Sequence, residues 1–181
     1  MALSDTEKKT LLEVVRKTIE ARLSGKSMPA FSLESQVLKE KKGAFVTLKK
    51  HGHLRGCIGY IEAREPLYMT IAEMAAAAAF DDPRFPPLRS DEMKHITTEI
   101  SVLSPLKQLE DMNEIEIGVH GLYIVKGFHS GLLLPQVATE YGWDRVTFLE
   151  ETCHKAGLHQ DAWKERDTKI YIFSAEVFGQ Q

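Results

Sequence analysis

The apolar residues of this chain change their spacing from one segment to the next, and the order of these changes is the strongest constraint on its fold. Residues 4 to 23 have helical spacing and begin with the capping box S-x-x-E, which Ser4 and Glu7 form. Helical spacing returns from Pro66 to about Phe80 and from about Asp144 to Ala156. Two hairpins with glycine in their turns and two further strands are predicted for the segments between and after these helices.

The resulting order is helix, hairpin, helix, strand, hairpin, helix, strand. It predicts an α+β fold with a mainly antiparallel sheet and packed helices, because parallel units would need strands and helices to alternate. A length of 181 residues suits one domain, and no internal repeat or low-complexity linker divides it. We therefore expect a single domain over residues 1–181, with any smaller lobe inserted in the middle of the chain.

The gross composition limits the setting and the partners of the protein. No apolar run approaches the roughly 20 residues that cross a bilayer, and the N-terminus lacks the pattern of a secretory signal. Two cysteines, Cys57 and Cys153, make no disulfide framework, so a reducing, cytoplasmic location is expected. A net charge of −3 disfavours general binding of nucleic acid.

The stretch HLRGCIGY, residues 53 to 60, is predicted to be the second strand of a hairpin that begins with AFVTLKK. The length of the hairpin loop decides which side chains share a face. A three-residue loop is favoured over loops of two or four residues because it gives one consistently apolar face, made of Val46, Leu48, Leu54 and Ile58. The opposite face would then hold the polar residues Thr47, Lys49, Arg55 and Cys57.

Cys57 is a candidate nucleophile or ligand contact. A nearby cation favours the reactive thiolate, and Arg55 lies two residues away on the same predicted face. Gly56 and Gly59 would let a ligand approach the backbone closely. The alternative is a small buried cysteine whose neighbouring glycines make room for a helix. A catalytic cysteine usually needs a base, and His53 has the parity of the strand, although no local signature selects one histidine.

Two further segments carry charged candidates. Residues 39 to 55 have a local charge of +5, which either discourages pairing at a strand edge or forms an anion-attracting rim around a site. In the proline-rich loop DDPRFPPLRS, Arg84 either pairs with nearby acids in solvent or holds a carboxylate or phosphate on a rigid wall. Glu99 is a candidate acid/base or ion-pair residue within a strand. No metal site is expected, because HGH at residues 51–53 lacks the spacing of a closed zinc site, and the sequence identifies no cofactor.

The hexapeptide LRGCIG at residues 54 to 59 resembles the signature of the AMMECR domain family, whose bacterial and archaeal members are often called AmmeMemoRadiSam system protein A. Further similar blocks extend the resemblance from about residue 10 to the end of the chain: FVTL, DDPRFPPL, EISVLSP, GLLLPQVA and FLEETCHKAGL. The resemblance implies an α+β fold with two unequal lobes and a cleft near the signature. It also implies association with a Memo-type protein and a radical S-adenosylmethionine protein.

Together the residues and the resemblance favour an enzyme or enzyme component that binds a small anionic ligand in a cleft near Leu54–Gly59. Arg55 would hold the anion, and Cys57 would act as a thiolate or a ligand contact. The remaining candidate binding residues are Leu54, Gly56, Gly59, Arg84 and Glu99. The alternative is a non-catalytic interaction module that partners the Memo-type or radical S-adenosylmethionine protein, with LRGCIG as a structural element.

Overall fold

A computed structural model describes residues 2–179 of the protein. The helices among these residues are α1 (Asp5–Leu23), α2 (Leu67–Phe80), α3 (Pro135–Tyr141) and α4 (Arg145–Lys155). The strands are β1 (Ala44–Lys50), β2 (His53–Tyr60), β3 (Ile96–Leu103), β4 (Lys107–Gln108), β5 (His120–Lys126), β6 (His129–Leu133) and β7 (Lys169–Gly179). The chain divides into unit 1, residues 2–103 and 176–179, and unit 2, residues 104–175. The predicted α+β class with antiparallel strands is confirmed.

Unit 1 has the strand order β2-β1-β3, with every pair antiparallel. Helix α1 begins at the predicted capping box, in which Ser4 accepts a hydrogen bond from the backbone N–H of Glu7. The apolar faces of α1 and α2 share one buried core with the inner residues of the strands, among them Val15, Ile71, Val46 and Ile100. Burial of these side chains is the main force that holds the helices on the sheet.

Helix α2 is rich in alanine, as its sequence predicts, and alanines on several of its sides are buried. Small side chains allow a neighbouring backbone to come close, and the backbone of β2 lies close to that of α2 at Gly56. A Cβ atom on Gly56 would overlap the carbonyl oxygen of Ala78, so the glycine is needed where β2 crosses the helix. Glu73, the one charge in α2, is exposed and accepts a hydrogen bond from Tyr60 Oη at 3.1 Å.

The hairpin of β1 and β2 corrects the predicted loop. Lys50 pairs with His53, so the loop has two residues, His51 and Gly52, both with positive φ. This conformation is the primed turn that suits the twist of a hairpin. A β-bulge opposite Leu48 and Lys49 inserts Arg55 as an extra residue. The bulge keeps the predicted pairing of Val46 with Ile58, but the prediction is wrong for Leu54, which pairs with Lys49 and is exposed because it lies before the inserted residue.

Unit 2 has the strand order β6-β5-β7-β4, so β7 has neighbours on both sides, as its apolar centre predicts. Helix α4 begins at Asp144, whose side chain accepts from the N–H of Thr147. The core of this unit surrounds Phe148, Leu149 and Leu122. The sequence analysis did not predict α3. This helix begins with a proline and ends at Gly142, which has a left-handed conformation.

Every helix within residues 2–179 is too short or too polar to span a lipid bilayer.

Candidate functional site

Arg55 and Glu92 form a buried ion pair at the end of β2. Arg55 Nε donates to Glu92 Oε1 at 3.1 Å, and Arg55 Nη2 donates to Oε2 at 2.9 Å. Both side chains are about nine-tenths buried, with relative exposures of 10% and 11%. Arg55 is the residue that the bulge inserts into β2. Its side chain bonds to the same carboxylate as Lys50 of β1.

Glu92 is held by more than one group. Lys50 Nζ donates to Oε1 at 2.8 Å, and the backbone N–H of Arg89 donates to Oε2 at 3.1 Å. Hydrogen bonds from Arg55, above all, lower the pKa of Glu92 to about 2, although burial opposes the shift. Glu92 is therefore a fixed negative charge at any physiological pH.

One nitrogen of the buried guanidinium has no such partner. Arg55 Nη1 is shielded from solvent and finds no hydrogen-bond acceptor among residues 2–179. A buried donor without an acceptor is costly, so an unpaired one marks either strain or a place for a ligand. Arg55 lies in the wall of a pocket of about 330 Å³, which is within the range of small-molecule sites.

The pocket, here called the Arg55 pocket, is built by three stretches of unit 1. Its lining consists of Lys50, Arg55, Pro86, Pro87, Arg89, Asp91 and Glu92. The prolines form a stiff apolar wall that has no backbone N–H to offer. Phe85 precedes this wall, and the centre of its ring lies 6.0 Å from Cζ of Arg55 and 5.6 Å from Cζ of Arg84.

Cys57 lies two residues further along β2, where its main chain is held from outside the sheet. The backbone N–H of Cys57 donates to Asp82 Oδ2 at 2.9 Å, and its carbonyl accepts from Arg84 Nη2 at 3.2 Å. Asp82 is buried and also accepts from Arg84 Nε at 3.0 Å and Nη2 at 2.7 Å. These bonds, led by that of Arg84, hold the pKa of Asp82 far below its usual range.

The thiol of Cys57 belongs to a polar row that crosses the sheet. Thr47 pairs with Cys57 on one side and with Glu99 on the other. Thr47 Oγ1 donates a hydrogen bond to Cys57 Sγ at 3.1 Å, and Lys49 Nζ lies 3.0 Å from Glu99 Oε2. Cys57 is half-buried, whereas Cys153 in α4 is fully buried, and both are free thiols.

Two residues that the sequence analysis placed on one face bond to different groups. Arg55 bonds to Glu92, and Cys57 bonds to Thr47, Asp82 and Arg84, so the two side chains have no hydrogen-bond partner in common. The bulge is the reason, because the inserted residue breaks the simple alternation of faces on which the prediction depended. Arg84, rather than Arg55, is the arginine bonded to the backbone of Cys57.

Arg84 was predicted to pair with acids in solvent or to hold an anionic ligand. Its Nε and Nη2 are both bonded to Asp82, which is buried, while the Arg84 side chain is half exposed. The other charges of the loop find separate partners. Asp81 pairs with Arg22, and Arg89 pairs with Asp91.

The lysines of the basic segment, residues 39 to 55, include two that pair with specific acids. β1 is paired on both of its sides, so Lys49 and Lys50 do not protect a free strand edge, and that interpretation is wrong for them. Both lysines are instead turned to acids that come later in the chain, Glu99 and Glu92. Lys50 and Arg55 are the members of the segment that line the Arg55 pocket.

The remaining members of the signature have mainly geometric roles. Leu54 lies opposite Lys49 and is partly exposed. A Cβ atom on Gly59 would overlap the ring of Phe45 and come within 2.6 Å of the carbonyl oxygen of Ala44. Gly56 and Gly59 are therefore required by packing, whatever else they do.

The histidines near the hairpin do not bond to the thiol of Cys57. His53 lies at the loop end of β2, and the rings of His51 and His95 are tilted by 41° with their centroids 4.8 Å apart. Within residues 2–179 no histidine nitrogen bonds to Cys57 Sγ. No group of three or more histidine, cysteine, aspartate or glutamate side chains in this part of the chain is arranged to hold a metal ion.

A larger cavity lies elsewhere in unit 1, and its charges differ in sign. It has a volume of about 460 Å³ and is formed by α1 and residues 29–38. The charged side chains in its lining are Glu7, Glu13, Glu34 and Lys17. An excess of carboxylates disfavours an anion there, so the Arg55 pocket is the better candidate for an anion site.

Sequence reasoning missed Glu92, Lys50 and Thr47 as site residues. Glu92 lies 37 residues beyond Arg55, in a segment without periodicity. The available signal was a glutamate three residues after Arg89 at the start of a short helical turn, a spacing that suits a bond back to the first backbone N–H. Only the folded structure shows that the same carboxylate also binds Arg55.

Comparisons with known proteins cover this site and the rest of the chain. The family model AMMECR1 matches residues 12–178. A protein of Methanothermobacter thermautotrophicus is 44% identical over 183 residues, covering 97% of this chain and 95% of its own length. A protein of Methanopyrus kandleri is 48% identical, covering 94% of this chain and 87% of its own. The crystal structure of an uncharacterized protein of Pyrococcus horikoshii matches with a TM-score of 0.93 and 41% identity, covering 99% of this chain and 94% of that chain.

Proposed function

This chain belongs to the AMMECR1 family, and on that premise we propose that it is an enzyme or an enzyme component that binds a small anionic ligand beside Leu54–Gly59. The observation that carries the proposal is the Arg55 guanidinium. It is about nine-tenths buried, lies in the wall of a pocket and has a nitrogen, Nη1, without an acceptor among residues 2–179.

An anion that enters beside Arg55 and displaces the groups that now cover Nη1 would satisfy this donor. Glu92 fixes the orientation of the guanidinium, since it binds the Nε–Nη2 edge and leaves the Nη1 side for the ligand. Lys50 adds positive charge at the rim, while the charge of Arg89 is balanced by Asp91. A preformed, partly desolvated cation binds an anion more strongly than a flexible lysine in water, because little entropy is lost and the local dielectric constant is low.

Cys57 is the reactive group of the proposal. Its sulfur accepts a hydrogen bond of 3.1 Å from Thr47 Oγ1, which fixes its position on the strand. Its backbone is fixed by Asp82 and Arg84, so the sulfur is carried on a rigid strand. Cys57 is not part of the lining of the Arg55 pocket, so we propose that it meets a part of the ligand that extends beyond this pocket, as a nucleophile or as a ligand contact, with Glu99 of the same row as a candidate acid/base. A cytoplasmic location is part of the proposal, because this thiol must stay reduced.

The second candidate is a non-catalytic module that binds a Memo-type or a radical S-adenosylmethionine protein. It is favoured by one observation: Gly56 and Gly59 are both explained by packing against Ala78 and Phe45, so LRGCIG needs no reaction to account for its glycines. In this case Cys57 would be dispensable, and a Cys57→Ala protein would still form the complex.

The proposed anion site is tested by nuclear magnetic resonance of the arginine side chains. Acetate, sulfate and inorganic phosphate are titrated separately while the Nε–Hε signal of Arg55 is followed. We expect at least one of them to shift this signal in a saturable way, and the shift to weaken in Lys50→Ala but not in Lys39→Ala, an exposed lysine of the same basic segment. No saturable shift with any of the three anions would overturn the proposal.

A further inference from the structure

Resting on the proposed function, we infer that the ligand of the Arg55 pocket presents a single carboxylate rather than a phosphate dianion. Two features of the pocket lead to this choice. One is the number of charges that its side chains leave unbalanced, and the other is the number of donors that they leave free.

The charges of the lining leave one positive charge unbalanced. Arg89 is paired with Asp91 through two hydrogen bonds of 3.1 and 3.0 Å, so these two groups balance each other. Lys50 and Arg55 share the one carboxylate of Glu92. A ligand with one negative charge completes the balance, whereas a dianion would leave a net negative charge next to the buried Glu92.

The donors support the same conclusion. Glu92 occupies the Nε–Nη2 edge of Arg55, and the Nη1–Nη2 edge is the remaining one with the fork geometry of a guanidinium. A carboxylate has two oxygens, which this edge fits in a bidentate manner. A phosphate has three oxygens that need donors, and two of the seven residues that line the pocket, Pro86 and Pro87, have no N–H to offer.

The wall also limits the body of the ligand. Pro86 and Pro87 present apolar ring surfaces, so we expect an apolar group next to the carboxylate. Two sources have this chemistry: a small carboxylic acid and the C-terminus of a peptide. Both would bind through the same edge of Arg55, and the experiment below separates them.

The test compares benzoate with phenyl phosphate, which have the same ring and different anionic groups. The second pKa of a phosphate monoester is about 6, so phenyl phosphate is mainly a monoanion near pH 5 and mainly a dianion near pH 7.5. Dissociation constants are measured at both pH values from the Arg55 Nε–Hε signal. The ratio of the two dissociation constants at each pH removes contributions of the protein that both ligands share.

We expect benzoate and the phenyl phosphate monoanion to bind with similar affinity near pH 5. Near pH 7.5 phenyl phosphate should bind at least about tenfold more weakly than benzoate, because its second charge is not compensated. Tighter binding of the dianion would overturn the inference and leave the anion site standing. Failure of benzoate and phenyl phosphate, as well as acetate, sulfate and inorganic phosphate, to shift the Arg55 signal would overturn the proposed function itself.

A third arm uses N-acetyl-alanyl-phenylalanine and the same dipeptide with an amidated C-terminus. Tighter binding of the free acid than of both benzoate and the amide would identify a peptide C-terminus as the source of the carboxylate. Weaker binding of the dipeptide acid than of benzoate would identify a small carboxylic acid. Equal binding of acid and amide would show that the carboxylate is not recognised and would contradict the inference.

Discussion

Arg55 and Glu92 are 37 residues apart in the sequence and form a two-point ion pair with both side chains about nine-tenths buried. The pair joins the end of β2 to the short helical turn that precedes β3. Lys50 bonds to the same carboxylate from β1, so one glutamate connects three segments of unit 1. The geometry of the Arg55 pocket therefore depends on Glu92 even if no ligand contacts that residue.

Replacement of Glu92 by alanine should lower the free energy of unfolding by about 3–5 kcal/mol, because the Arg55 guanidinium is left buried without its partner. Urea denaturation at neutral pH measures the change. The matched control is Asp91→Ala, which removes a neighbouring acid whose pair with Arg89 is exposed, and it should cost less than about 1 kcal/mol. Equal effects of the two substitutions would contradict a structural role for the buried pair.

Acid should destabilise the protein partly through the same residue. The pKa of Glu92 is about 2 in the folded protein, below its value of 4.5 in an unperturbed side chain, and the pKa of Asp82 is lowered as well. The unfolded chain thus binds protons first, and stability that is complete above about pH 5 is lost as the pH falls toward 2. Glu92→Gln should show a smaller loss of stability between these pH values, as measured by urea midpoints. Asp91→Asn should keep the wild-type profile, and an unchanged profile in Glu92→Gln would refute the assignment.

The periodic elements of this fold were predictable, and the site was predictable only in part. Capping and helical spacing located α1, α2 and α4, because these signals are local in sequence. The bulge at Arg55 was not predictable, since it depends on a turn with His51 in a left-handed conformation and on a glutamate far along the chain. A single inserted residue interrupts the alternation of faces on which the expected shared face of Arg55 and Cys57 depended.

Substitution of Gly56 by alanine should be severely destabilising, by more than about 3 kcal/mol, because a Cβ atom would overlap the backbone of α2 at Ala78. The matched control is Gly127→Ala. Gly127 has a φ of 58° and open space around it, so that change should cost only the backbone strain of about 1–2 kcal/mol. Urea denaturation compares the variants. A lower yield of folded protein for Gly56→Ala, but not for Gly127→Ala, would also indicate the expected destabilisation. Similar stability of both would show that β2 can move away from α2.

Alkylation should distinguish the two thiols. Cys153 is fully buried and burial raises the pKa of its thiol, whereas Cys57 is half-buried. We expect iodoacetamide to label Cys57 at least about 100-fold faster than Cys153 in the native protein, with peptide mapping to assign the adducts. If both react only on unfolding, Cys57 is structural and the non-catalytic module is favoured.

The hydrogen bond from Thr47 should contribute to that reactivity. Thr47→Val removes the hydrogen bond that holds Cys57 Sγ in one position, so alkylation at neutral pH should slow by about 3- to 10-fold because the sulfur is less well oriented. Thr97→Val is the control, because Thr97 pairs with Lys49 at a neighbouring position of the sheet and does not bond to the sulfur. An equal rate in wild type and Thr47→Val would show that the hydroxyl does not contribute to the reactivity of the sulfur.

Asp82 and Arg84 also determine how this sheet ends. Within residues 2–179, β2 is paired with β1 alone, and the N–H and carbonyl of Cys57 that face away from β1 are already bonded to the two side chains. These are the groups that a strand of another molecule would use to extend the sheet. The loop that follows α2 therefore blocks the backbone groups of β2 that another strand would need for pairing at Cys57. This protection allows β2 to lie at the margin of its sheet without pairing with a second copy of the chain.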